Sequence, residues 1–243
     1  MPDGRRLVIR FEQLTEIPEW VWDRRDLEFL CVSDNRLTGL SDKIARLTKL
    51  KTLDVAHNAI ASIPDALGEL MQLSDYLYLS DNTLTKFPEP VAKLANLRYL
   101  GLTDNRIARL PETVAGLTNL VELRLYNNGM ISLPESLGAL QQLRELHLSN
   151  NQLTSLPVSI GLLSELRLLD LRNNHVANVP ESVGGLRNLL YLDLRANALT
   201  ALPESIGDIP NLQKLDLRWT PVSEMTPPDW LERLERRGCV VLW

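Results

Sequence analysis

Leucine-type residues recur along this chain every 23 positions, and no other feature narrows its fold so far. From Leu97 they fall at Leu97, Leu100, Leu102 and Ile107, with Asn105 between. Leu110-Pro111, Val114 and Leu117 follow, and the pattern restarts at Leu120, Leu143, Leu166, Leu189 and Leu212. Backward it restarts at Leu50 and Leu27. Asparagines keep the same time: Asn35, Asn58, Asn82, Asn105, Asn128, Asn151, Asn174 and Asn197. Self-similarity of this kind marks a stack of coils. One coil cannot bury its apolar side alone, so its neighbours must complete the core.

Each coil can be read in parts. The Leu-x-Leu step alternates with the period of a strand and turns both leucines inward. Stacked coils pair these short strands into a parallel sheet. The Asn side chain carries donors and an acceptor that can satisfy backbone groups where the strand turns away, so the in-phase asparagines predict an internal ladder. Leu-Pro-Glu, as at Leu133-Pro134-Glu135, suits the start of a helical turn, with the carboxylate at its positive end. Apolar residues three apart, such as Leu137, Leu140 and Leu143, predict a short helix or 3₁₀ segment on the outer side.

The consensus LxxLxLxxNxLxxLPxxLxxLxx covers nearly the whole chain and resembles the leucine-rich-repeat family, in particular its intracellular, Ras-suppressor-like class and many bacterial repeat proteins. The resemblance implies an α/β fold: a right-handed solenoid, or horseshoe, with a concave parallel β-sheet and short helical or 3₁₀ segments on the convex side. It also implies a protein-interaction module or scaffold whose partner is another protein. In the family that partner is sometimes a small GTPase, and sometimes a host protein when a bacterial effector is injected. Cysteine-rich caps of the extracellular receptor class are missing, which puts a cell-surface role in doubt.

Residues 1–26 read as a degenerate N-terminal capping repeat, with Glu12 in place of Asn and Arg24 in place of a leucine. Residues 27–219 hold eight regular repeats and the start of the last coil; residues 220–243 read as a C-terminal cap, the whole forming a single domain. In that cap Trp230, Leu231 and Leu234 share one side of a helix around Asp229 to Arg237, ended by Gly238, and Val240 to Leu242 form a strand. One coil carries an extra residue between Leu73 and Leu77, which is either a bulge that distorts the sheet beside the strand starting at Tyr76 or neutral drift in a tolerant loop.

The third, fifth, seventh, eighth and tenth positions of each coil face outward from the sheet. All five tyrosines occupy them: Tyr76, Tyr78, Tyr99, Tyr126 and Tyr191. Random placement would do this roughly once in two thousand chains. Phe29 lies on the same row two coils earlier. Clustered tyrosines are enriched at protein interfaces, so this patch is a candidate hot spot; the alternative is a set of aromatic rows that stiffen the sheet. Toward the C-terminus the face becomes charged. Asp170, Asp193 and Asp216 fill the fifth position of three coils and Arg172, Arg195 and Arg218 the seventh, with Trp219 at the end as a candidate anchor. This array is either a solvated ion-pair lattice or a charged docking platform. Arg124 and His147 extend it.

Other chemistry finds little footing. His147, Asp170 and Ser149 form a nucleophile set on paper, but no oxyanion-hole element accompanies them on an open face. The reading is therefore not an enzyme, with no cofactor. His57 and His175 are isolated from that set and from each other, so no metal site is expected. Exposed tyrosines could also stack on sugars, making carbohydrate or small-ligand recognition on the concave face the alternative function.

Composition sets outer limits. With 26 basic and 31 acidic side chains and a net charge of -5, the chain offers no basic face for nucleic acid and no polybasic membrane anchor. No apolar run is long enough to span a bilayer, and the start lacks the apolar stretch of a secretory signal. Cys31 and Cys239 lie too many coils apart to pair, and no glycosylation sequon occurs. A cytoplasmic location, or export without a cleavable signal peptide, is the expectation. A monomer is expected too, with an exposed edge strand at Arg6 to Arg10 as the one route to self-association.

Overall fold

In the computed structural model, which describes residues 4–243, eleven three-residue strands form one parallel sheet in chain order. They are β1 (Arg6–Val8), β2 (Phe29–Cys31), β3 (Thr52–Asp54), β4 (Tyr76–Tyr78), β5 (Tyr99–Gly101) and β6 (Glu122–Arg124). Then come β7 (Glu145–His147), β8 (Leu168–Asp170), β9 (Tyr191–Asp193), β10 (Lys214–Asp216) and β11 (Val240–Leu242). The sheet stays open, and the chain returns on the outer side through short 3₁₀ turns such as Glu135–Ala139 and Val158–Leu162. This is the open solenoid that the resemblance implies.

The central leucines explain the register. Leu53, Leu77, Leu100, Leu123, Leu146 and Leu169 are Cα partners along the sheet, and each is fully buried. Burying one such side chain is worth about 1.5–3 kcal/mol. A slip of one residue would expose the whole ladder, so the apolar alternation locks the pairing.

The asparagine ladder ties each coil to the one before. Asn105 Nδ2 donates to the carbonyls of Leu102 and Thr103 in its own coil (both 3.1 Å) and to that of Leu79 in the preceding coil (3.0 Å). Its Oδ1 accepts from Leu84 N–H, again in the preceding coil, at 3.0 Å. Because every Asn serves the coil before it, the first coil needs none of its own. Asn35 accepts from the backbone of Glu12 and Leu14, which accounts for the departure at Glu12.

The residue ahead of each Asn is left-handed, with φ between 50° and 57° at Asp34, His57, Asp81, Asp104, Asn127, Asn150, Asn173 and Ala196, and so is Trp219 (φ 61°) ahead of Thr220, which takes the Asn position in the last coil. Asp and Asn tolerate that conformation best among non-glycine residues, hence their predominance in this row.

On the convex side two of the glutamates, Glu112 and Glu135, cap, but one coil further on than the sequence suggests. Glu135 accepts from the backbone N–H groups of Val158 and Ser159 at 3.1 and 2.9 Å, and makes no cap to its own turn. Those bonds hold its carboxyl below the usual carboxylate range.

The extra residue forms no bulge in the sheet and is taken up by the loop: Thr52, Tyr76 and Tyr99 remain in register. It is absorbed just before β4. There Ser74 and Asp75 present separate carbonyls to Arg98 and Tyr99, where Arg98 alone accepts from both Val121 and Glu122 in the next coil.

At the C-terminus helix α1 (Asp229–Arg236) buries Trp230, Leu231 and Leu234 as the lid that the pattern predicts. Gly238, at φ 90°, turns the chain so that β11 pairs with β10. Both cysteines are buried and free.

Candidate functional site

The outward positions of β4 and β5 bring aromatic rings together. Tyr76 and Tyr78, two residues apart on β4, stack at 5.8 Å with rings 5° from parallel. Tyr99 on β5 meets both, at 5.5 Å from Tyr76 and 4.9 Å from Tyr78. Such pairs are worth about 0.5–1.5 kcal/mol beyond the area they bury. Burial pushes the Tyr99 phenol up to about 12, with Arg124 pulling against it and Glu122 adding to the rise. Burial likewise raises Tyr78. Both therefore remain neutral hydrogen-bonding groups at physiological pH.

Arg124 extends the cluster, its guanidinium 5.6 Å from the Tyr99 ring centre while its Nε bonds Glu122. A hollow of about 320 Å³ opens beside these rings, bounded by Tyr78, Tyr99, Tyr126, Arg124, Asp54 and Arg10. Gly101, the register partner of both Tyr78 and Arg124, places no side chain in the fifth position, and the Tyr99 ring lies over it.

Other aromatic candidates stand apart. Phe29 lies under Arg6, whose guanidinium is 4.0 Å from the ring centre, and it touches none of the tyrosines. Tyr191 is exposed on β9, its hydroxyl 3.3 Å from Gln213 Oε1. Trp219 is 71% exposed at the far rim, with Arg218 5.5 Å from its ring.

The charged rows divide unevenly. Asp216 is buried and receives Arg218 Nη2 at 2.7 Å and Arg195 Nε at 3.2 Å. Arg195 Nε also bonds Asp193 at 2.9 Å. Burial by itself would raise the Asp216 carboxyl, but the Arg218 hydrogen bonds and the two guanidinium charges outweigh it and hold the group below its usual range. Asp170 and Arg172 lie outside this network. Asp170 accepts only the Arg172 backbone N–H (3.1 Å), and Arg172 forms no ion pair among the described residues. Its Nε is buried without a hydrogen-bond partner. A second hollow, of about 290 Å³, lies over Leu168, Asp170, Tyr191 and Asp193.

His147 is not turned toward a nucleophile. Its Nε2 lies 3.1 Å from Glu145 Oε2 and 3.9 Å from Glu122 Oε1, although Asp170 is its register partner on β8. Glu122 and Glu145 are themselves cross-strand partners. Both glutamates stand at the third position of consecutive coils, the row that elsewhere carries Tyr76, Tyr99 and Tyr191, and neither belongs to the aromatic or the Asp/Arg pattern that marks this face in the sequence. His57 Nδ1 meets Asp81 at 2.8 Å, far from this group. No helix among the described residues is long and apolar enough to cross a membrane.

Comparison with known proteins bears on the fold. The family model described as a leucine-rich repeat region matches residues 65–148 and 132–236, and one described as a leucine rich repeat matches 25–84. The chain is 41% identical over 70 residues to a leucine-rich repeat and calponin homology domain-containing protein of Drosophila melanogaster, covering 28% of this chain and 8% of that one. Among solved structures, a TDR receptor superposes with a TM-score of 0.85 at 27% identity, over 98% of this chain and 42% of the receptor. The plant peptide hormone receptor RGFR1 in complex with RGF2 gives 0.78 at 26% identity, over 89% and 36%. The chain thus spans well under half the length of each.

Proposed function

This chain belongs to the leucine-rich-repeat family, and from that premise we propose that it is a protein-interaction module whose concave face binds an extended segment of a protein partner. The observation that carries the reading is the cluster of Tyr76, Tyr78 and Tyr99 with Arg124 beside an open hollow. Rigid rings offer large contact area at small entropic cost, and their hydroxyls keep hydrogen bonds when buried. Similarity to a plant peptide hormone receptor solved in complex with RGF2 supports a polypeptide as the bound partner. The Asp193, Arg195, Asp216 and Arg218 network would then set orientation and association rate rather than affinity. Resemblance to the Ras-suppressor-like class makes a small GTPase the first partner to try, and resemblance to bacterial effectors makes a host protein the second.

The test is quantitative capture from candidate lysates by the wild-type chain and by a Tyr76→Ala, Tyr78→Ala, Tyr99→Ala, Tyr126→Ala variant whose fold is checked by circular dichroism. Partners that the variant loses support the reading. Equal capture by both proteins would remove the aromatic half of the face from it.

A further inference from the structure

The third-position row is aromatic or apolar over much of the concave face, at Phe29, Tyr76, Tyr99, Leu168 and Tyr191. On β6 and β7 it carries instead Glu122 and Glu145, directly opposed in register. Like charges so placed repel. Arg124 answers Glu122, but Glu145 meets no Lys or Arg among the described residues; its partner is the His147 ring. The side chains of Glu122 and His147 are only 21% and 18% exposed, so water screens them poorly.

We propose that Glu122, Glu145 and His147 form a binding site for one zinc-class divalent ion. His147 Nε2 stands 3.1 Å from Glu145 Oε2 and 3.9 Å from Glu122 Oε1, and one ligand atom from each residue lies within 4.8 Å of the others. Tetrahedral zinc holds nitrogen and carboxylate ligands at about 2.0–2.2 Å, which sets neighbouring ligand atoms about 3.4 Å apart. The three ligand atoms bracket that spacing, and side-chain rotation that draws the wider pairs in by up to about 1.4 Å closes the site. An imidazole with two carboxylates selects zinc and its neighbours copper and nickel over calcium or magnesium, which take oxygen ligands. The ion would replace a cross-strand repulsion with a shared cation.

Three protein ligands leave a fourth position facing the concave solvent. If the proposed partner binding is correct, a His, Asp or Cys of the partner can fill it, and the ion becomes part of the interface. The site itself does not depend on that reading. Arg124 competes with the ion, because it holds Glu122 from the side.

Equilibrium dialysis of the full chain against zinc chloride, after chelator treatment, tests the site without any partner. Expected is one ion per chain, at least tenfold weaker binding in His147→Ala and Glu145→Gln, and tighter binding in Arg124→Ala. His57→Ala should bind as wild type does. Cobalt(II) added to the unmutated chain should give the visible d–d bands of a tetrahedral ion, a readout that no substitution can confound by unfolding. Absence of zinc binding by wild type, or binding that survives both ligand substitutions, overturns the proposal and leaves the partner-binding reading standing.

Discussion

Tyr99 lies across the backbone of Gly101, so close that a Cβ at 101 would stand 3.1 Å from Tyr99 Cε1 and 3.2 Å from its hydroxyl oxygen. The same Cβ would meet Ser80 Oγ at 3.1 Å. Gly101 thus decides whether the third tyrosine can fold down beside the other two. Replacing it with valine suits a strand but removes the space. The Gly101→Val variant should keep its far-ultraviolet dichroism while the Tyr99 ring is driven into solvent. Absorbance at 295 nm reads this directly, since the phenol near 12 should fall toward the ordinary tyrosine value of about 10. An unchanged phenolate titration would mean that the ring does not depend on Gly101.

Gly161 has a different task, on the convex side. A Cβ there would stand 2.0 Å from the carbonyl oxygen of Ser182 in the next coil, and backbone cannot step aside as a side chain can. Gly161→Ala should therefore destabilise the chain by about 1–3 kcal/mol, read as a lower urea midpoint. Gly39→Ala serves as the control, because nothing lies within 4 Å of its Cβ. Equal midpoints for the two variants would show that adjacent turns can separate freely.

These two glycines also mark where the sequence stops being readable. Leucine alternation and the in-phase asparagines are enough to specify strands, register and core, because each is a period imposed by packing. The cap is legible for the same reason: Trp230, Leu231 and Leu234 share a helical face. What lies on the concave face is legible as a set of positions but not as contacts, since those depend on rotamers. Phe29 shares a row with the tyrosines yet is claimed by Arg6. His147 stands beside Asp170 in the sheet yet turns to Glu145. The eighth position is instructive in another way. Its Asp and Asn residues look like a polar binding row, but its left-handed backbone makes it first a turn position.

Acid should loosen the C-terminal half through Asp216. The folded carboxyl titrates below its unfolded value, so its stabilisation is complete above about pH 4 and is lost as pH falls through the folded-state value. Asp216→Asn lacks this ionisation and leaves the two guanidinium groups short of an acceptor. The variant should be about 1–3 kcal/mol less stable than wild type near neutrality. Below about pH 4 the gap should narrow. Urea titrations of both proteins across this range provide the check; a gap that stays constant would assign the difference to packing rather than charge.

Ala196 offers the opposite test, a substitution that should strengthen the fold. It holds φ 50° in a row where Asn127, Asn150 and Asn173 have the same backbone and side chains that bond to one another. Asn150 Nδ2 donates to Asn127 Oδ1, and Asn173 Nδ2 to Asn150 Oδ1, both at 2.6 Å. The ladder stops at Asn173 because alanine has no amide to continue it. Ala196→Asn supplies a residue that tolerates the left-handed region and a donor for Asn173 Oδ1. A gain of about 0.5–1.5 kcal/mol is expected, seen as a higher urea midpoint with an unchanged slope. Ala196→Gly separates the two effects, since it relieves the backbone but adds no hydrogen bond. If glycine stabilises as much as asparagine does, the ladder contributes nothing and backbone strain accounts for the whole gain.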